Sequence, residues 1–158
     1  MIFGMTVATY TFIHVVISLV GIVSGLIVVI GWLAGKRLAR TTAVFLVTTI
    51  ATSVTGFGFP IHEIGPPHIL GVLSLLVLAL ALVARGKSWQ KTFVVSSIVA
   101  LYFNVFVGVV QAFQKIGALH TLAPTQKEPP FAIAQGIVLL LFISLGVLSN
   151  RQVRAVAH

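Results

Sequence analysis

The sequence contains no cysteine and only two acidic residues, Glu63 and Glu128. Without cysteine there can be no disulfide, thiolate nucleophile, iron–sulfur cluster or thiolate zinc site. Charge of either sign is scarce. Asp, Glu, Lys and Arg make up 8% of the 158 residues, against about 25% in an ordinary soluble domain. Also missing are a glycine-rich phosphate loop, a nucleophile elbow and a dinucleotide fingerprint, so a soluble-type enzyme has little support. Hydrophobic residues supply 58% of the chain. A soluble domain of about 150 residues still leaves roughly 30% of its chain surface in water. So apolar a chain therefore calls for lipid as its solvent. The length allows one compact unit, residues 1–158, with no linker, low-complexity tract or clear internal repeat.

A hydrocarbon core of about 30 Å is crossed by roughly 20 helical residues. Five runs meet or approach that length: 11–34, 42–59, 68–84, 92–113 and 131–149. They are too long and too uniformly apolar for barrel strands. Between them stand breakers or charge: Gly35-Lys36-Arg37, Gly58-Phe59-Pro60, Gly65-Pro66-Pro67, Arg85-Gly86-Lys87, and Pro124 with Pro129-Pro130. The expected fold is an all-α membrane bundle of five transmembrane helices.

The net charge of +8 would suit nucleic acid, but the basic residues sit at the ends of apolar runs, where topology explains them better. Lys36, Arg37, Arg40, Arg85, Lys87, Lys91, Arg151 and Arg154 fall on one side of a five-span chain. Only Lys115 and Lys127 fall on the other. The positive-inside rule then puts the N-terminus outside and the C-terminus inside, with Trp32 and Trp89 at the cytoplasmic boundary. The first positive charge, Lys36, follows the first apolar run, unlike a signal peptide. A bacterial inner membrane is the expected location.

This orientation sorts the chemically active side chains. His14, His62, Glu63, His68, His120 and Glu128 all come to the extracytoplasmic side; His158 is the one histidine that does not. In the fourth span Asn104, Gly108, Gln111 and Lys115 recur every three or four residues and share a helix face. Thr11, His14, Ser18, Gly21 and Gly25 form a similar stripe in the first span, and Thr48, Thr52 and Thr55 in the second. Gln135 sits in the outer turns of the fifth. Polar atoms in hydrocarbon need partners, so these faces should look into the bundle. Small-residue and threonine stripes also serve as packing glue between membrane helices.

Imidazole and carboxylate together suit zinc, copper, iron or nickel. The candidate ligands are His14, His62, Glu63, His68 and His120. Alternatively, His14 and His68 could hold a haem b iron axially, with Gly21, Gly25 and Gly71 allowing close approach. Asn104, Gln111, Lys115, Gln135 and Glu128 would line the cavity. The run from His62-Glu63 to His68 is not a metalloprotease motif, because its histidines are six apart and Gly65-Pro66-Pro67 interrupts any helix. Flanked by two short spans, residues 58–67 could fold back to membrane depth as a lid. A channel or transporter using the polar face of the fourth span is an alternative. Against it, the cytoplasmic half offers little polarity beyond Ser24, Ser96 and Ser97. A structural or accessory subunit is a third reading. The expected partners are the lipid bilayer and either further copies of the chain or another membrane-complex subunit, not nucleic acid.

The run Tyr102-Phe103-Asn104-Val105-Phe106-Val107, with Val110 through Lys115, Ala123 through Gln126 and Glu128-Pro129-Pro130-Phe131, resembles a small bacterial inner-membrane protein family of uncharacterised function. The resemblance covers roughly the last third of the chain. It implies a bacterial membrane and carries no activity, cofactor or catalytic residue.

Overall fold

The computed structural model describes residue 2 and residues 4–59 and 66–155. The described chain is all helical: α1 (Val7–Leu33), α2 (Ala39–Gly56), α3 (Pro66–Gly86), α4 (Gln90–Lys115), α5 (Gly117–Leu122) and α6 (Pro129–Ala155). α1, α3, α4 and α6 are each long and apolar enough to cross a membrane, as expected of a membrane protein.

The ends of the helices follow from local chemistry. The Thr6 hydroxyl accepts from the Thr9 amide at 3.1 Å and caps α1. At the other end Gly35 adopts φ +68°, and the amides of Gly35 and Lys36 bond back to Trp32 and Gly31. This is a glycine-terminated Schellman cap. α3 opens on Pro66 and Pro67, whose ring-fixed φ suits a first turn and whose missing N–H groups are not needed there. α2 is rich in threonine, and Thr42, Thr48, Thr52 and Thr55 each donate to the carbonyl four residues back. Hydroxyls bonded in this way need no water.

The helices run past the apolar stretches that announce them. α2 includes Arg40, α4 includes Gln90, Lys91 and Lys115, and α6 continues through Arg151. Backbone hydrogen bonding continues through these polar residues, whereas hydropathy stops at them. The second helix ends at Gly56, short of the expected 59. The six-residue α5 lies in a connection from which no helix was expected.

α1, α2, α3 and α4 form a ring in which each packs on the next and α4 closes back on α1. α6 packs on the outside, against α4 and α1. Neighbouring helices in the ring are antiparallel. Along α1, Gly31 meets Leu38, Gly25 meets Phe45, Gly21 meets Thr48 and Thr49, and His14 meets Thr55. α2 thus retraces α1 from one end to the other. α4 does likewise, through Trp32 with Phe93, Gly25 with Leu101 and Gly21 with Asn104. α6 runs back along α4 through Phe131 with Phe113, Gln135 with Phe106 and Phe142 with Tyr102.

The main core cluster lies in the half of the bundle that bears Lys36. It contains Val28, Val29, Trp32, Phe45, Leu46, Leu78, Ala81, Val94, Ile98, Leu101 and Phe142. The outer surface is apolar as well. Phe12 is 70% exposed, Ile30 64% and Leu140 66%. So continuous an apolar exterior suits hydrocarbon rather than water.

Candidate functional site

Glycine sets where the ring is tight. A methyl group added at Gly25 would lie 2.6 Å from Leu101 Cδ1 and 2.8 Å from Phe45 Cδ2, so α1, α2 and α4 touch there. About one turn toward the His14 end, the same construction at Gly21 meets Asn104 Nδ2 at 3.1 Å, Thr49 Oγ1 at 3.2 Å and Thr48 Oγ1 at 3.3 Å. These two layers form a floor. Above it the four helices separate around a cavity of about 560 Å³. That volume falls within the roughly 300–1,000 Å³ of ligand pockets.

Every helix of the ring contributes to the wall. α1 supplies Thr11, His14 and Ser18, and α2 supplies Thr52 and Ser53. α3 supplies His68, Gly71 and Ser74, and α4 supplies Asn104, Gly108, Gln111 and Lys115. Leu19, Ile22, Phe57, Phe59, Leu70, Phe103 and Val107 make most of the remainder apolar. His14 and His68 come from α1 and α3, which stand opposite each other in the ring.

His14 is held from behind. Its Nδ1 lies 2.8 Å from Thr55 Oγ1, and the Thr55 hydroxyl donates to the Ala51 carbonyl at 2.7 Å. With its one proton committed there, Thr55 Oγ1 is the acceptor and Nδ1–H the donor, which leaves the lone pair on Nε2. The ring edge rests on Phe59, 5.2 Å between centroids. The Tyr10 hydroxyl donates to the Thr55 carbonyl at 2.7 Å and ties the same residues together. The threonine stripe of the second span thus contains the residue that orients the histidine. The i, i+3, i+4 spacing pointed to that face but not to Thr55 as partner.

His68, in the first turn of α3, lies beside Phe57, whose ring centroid is 6.3 Å away. Phe57 in turn packs on Gly71, where an added methyl would sit 2.9 Å from its Cζ. Ser53 donates to Ser74 at 2.9 Å and fastens α2 to α3 at the cavity wall. Asn104 Nδ2 and Thr49 Oγ1 are buried at the floor and make no hydrogen bond within the described residues.

The remaining candidates lie elsewhere. His120 is exposed on α5. Gln135 is buried between α6 and α4, where its Nε2 donates to the Phe106 carbonyl at 3.2 Å; it is not part of the cavity wall. Glu128 also lies outside the wall, folded onto its own turn. It accepts from the Thr125 hydroxyl at 2.8 Å and from the amides of Thr125 and Lys127 at 3.2 and 3.0 Å. Partial burial acts to raise its carboxyl pKa, but these hydrogen bonds outweigh that and hold it below the ordinary value. The Thr-x-x-Glu spacing was a legible signal of this local role. His62, Glu63 and the proposed lid lie outside the described residues, apart from its first and last two positions: Gly58 and Phe59 follow α2, and Pro66 and Pro67 already belong to α3. No group of three or more metal-ligating side chains occurs among the described residues.

No protein family, curated protein or solved structure matches the chain. Functional inference therefore rests on the site's own geometry.

Proposed function

We propose that the chain is a five-span membrane protein, with its N-terminus outside, that binds a haem in the outer half of its helical ring through His14 and His68. The observation that carries this reading is the entry of two imidazoles, from opposite helices, into one largely apolar cavity. His14 and His68 would hold the iron of such a group, and the apolar lining would surround its ring; histidine ligation in an apolar pocket is one of the ways a protein binds haem. The Thr55 bond resembles the outer contact that commonly fixes the tautomer of an iron- or metal-binding histidine. Lys115 and Gln111 on the α4 wall offer donors to the carboxylates or other polar edge of such a ligand.

Five spans are supported by the way α2 retraces α1. An 18-residue helix is about 27 Å long, and wherever α1 crosses the bilayer its antiparallel partner returns. The orientation rests on the eight basic residues of the Lys36 end. A site for a bare transition metal would need a third ligand, which His62 or Glu63 would have to supply. A transport path is less favoured, because the apolar core closes the bundle below the floor.

The test is composition. Protein purified in mild detergent is assayed for haem and for transition metals per chain. About one haem per chain supports the proposal. Stoichiometric zinc or copper without haem would replace it with the bare-metal reading, and a colourless, metal-free protein would overturn both.

A further inference from the structure

At the opposite end of the bundle lies a second, smaller cavity of about 180 Å³. Arg37, from the α1–α2 connection, and Arg85, from the last turn of α3, both line it. Ser88, Gln90 and Thr42 add polar atoms, and Trp32 and Phe93 form its inner wall. The Arg85 guanidinium lies over the Phe93 ring, 6.0 Å from its centroid.

Among the described residues no acidic side chain neutralises this end: the one described carboxylate, Glu128, is at the other end of the bundle. Two helix N-termini meet at the same cavity: Leu38, which precedes α2, Ala39 of α2 and Gln90 of α4 line it, and neither helix has a side-chain cap. The Gln90 amide is already bonded to the Ser88 carbonyl at 3.0 Å, so these ends add the positive poles of their helix dipoles to the field of the two guanidiniums. Ser88 holds φ +57°, a left-handed conformation that a non-glycine residue adopts only where its surroundings fix it, and it turns the chain from α3 into α4 at the cavity's rim.

We infer that this cavity binds a phosphate group, the headgroup of an anionic phospholipid, between Arg37 and Arg85. Guanidinium forks match phosphate oxygens in geometry as well as charge. The cavity's depth fits a headgroup: it lies at the ends of the spanning helices, next to exposed Trp89. Basic pockets between helices at the cytoplasmic surface are where lipid phosphates bind. The inference rests on the helices being membrane spans and is independent of what the His14 cavity holds.

The experiment uses the full chain in a zwitterionic detergent, titrated separately with phosphatidylglycerol, phosphatidylcholine and inorganic phosphate, with bound species counted by native mass spectrometry. The expected result is one preferentially retained phosphatidylglycerol per chain. The double variant Arg37→Gln, Arg85→Gln should weaken it roughly 25-fold, at about fivefold per basic residue near a lipid surface. Lys91→Gln and Arg151→Gln, which keep the cavity intact, should change it less than about twofold. Should the double variant fail to fold, Arg37→Lys with Arg85→Lys retains the charge but not the fork, and a loss smaller than 25-fold but well above the lysine control is expected. Binding of inorganic phosphate with the same arginine dependence would uphold the site and make soluble phosphate its source. Equal retention of both lipids, or equal loss from Lys91→Gln, would overturn the inference, because the charge would then act as a diffuse surface.

Discussion

His14 on α1 and Thr55 on α2 meet side chain to side chain at 2.8 Å, and the Thr55 hydroxyl is itself anchored on its own helix by the Ala51 carbonyl. The imidazole is thereby fixed in direction, with Nδ1 occupied and Nε2 left for a ligand. Outer contacts of this kind commonly contribute 10- to 100-fold in metal affinity. Thr55→Val should therefore lower cofactor affinity by about tenfold or more, while Thr55→Ser, which keeps the acceptor, should lower it far less. Cofactor retention during detergent dialysis reads the difference. Equal retention in both variants would mean that Thr55 only packs.

The floor of the cavity predicts a graded response to added methyl groups. At Gly25 an extra carbon collides with Leu101 and Phe45, whereas at Gly108 it would make an ordinary 3.6 Å contact with Ile22. Gly25→Val should destabilise the bundle by about 1–3 kcal/mol, as overpacking commonly does. Gly108→Ala should stay within about 0.5 kcal/mol. Reversible unfolding in mixed micelles provides the comparison.

The turn before α6 should loosen only in acid. Glu128 is held below its ordinary pKa by hydrogen bonds to the Thr125–Lys127 turn that outweigh partial burial. A carboxyl so depressed stabilises the folded turn fully above the ordinary glutamate value, about 4.3, and loses that contribution as pH falls through its lower folded-state value. The protection of the Thr125 and Lys127 amides against hydrogen exchange, taken relative to the unstructured-chain rate at the same pH, should be constant between pH 7 and pH 5 and should fall in stronger acid. Glu128→Gln should lower that protection at every pH.

Topology can be read directly because the chain has no native cysteine. Thr125→Cys should react with a membrane-impermeant maleimide on intact cells, and Ser88→Cys only after permeabilisation. The reverse pattern would invert the orientation. Labelling of both from the same side would remove α4 as a span.

Much of this arrangement was legible in the sequence, for identifiable reasons. The three- and four-residue spacing of Asn104, Gly108, Gln111 and Lys115 gives one face of α4, and all four line the cavity. The stripe from Thr11 to Gly25 likewise descends from the cavity to its floor. Periodicity names a face but not the helix opposite it, so the placing of α1 across from α3, and of α6 outside the ring, was not readable. Gln135 illustrates the gap. Its position in an outer turn suggested the cavity, but α6 packs on the far side of α4 and turns the amide onto the Phe106 carbonyl. Arg37 and Arg85 registered only as topology signals, because their shared cavity is made by the meeting of two connections distant in sequence.

The electron paramagnetic resonance spectrum of the oxidised, detergent-purified protein, taken with its visible absorption, tests the pairing of His14 with His68 most directly. The expected result is a Soret band with a low-spin ferric signal, as two strong-field imidazole ligands would give. That signal should turn high-spin or vanish in both His14→Ala and His68→Ala and survive in His120→Ala. A spectrum unchanged by both cavity variants, or no haem at all, would contradict a haem site built on these two histidines.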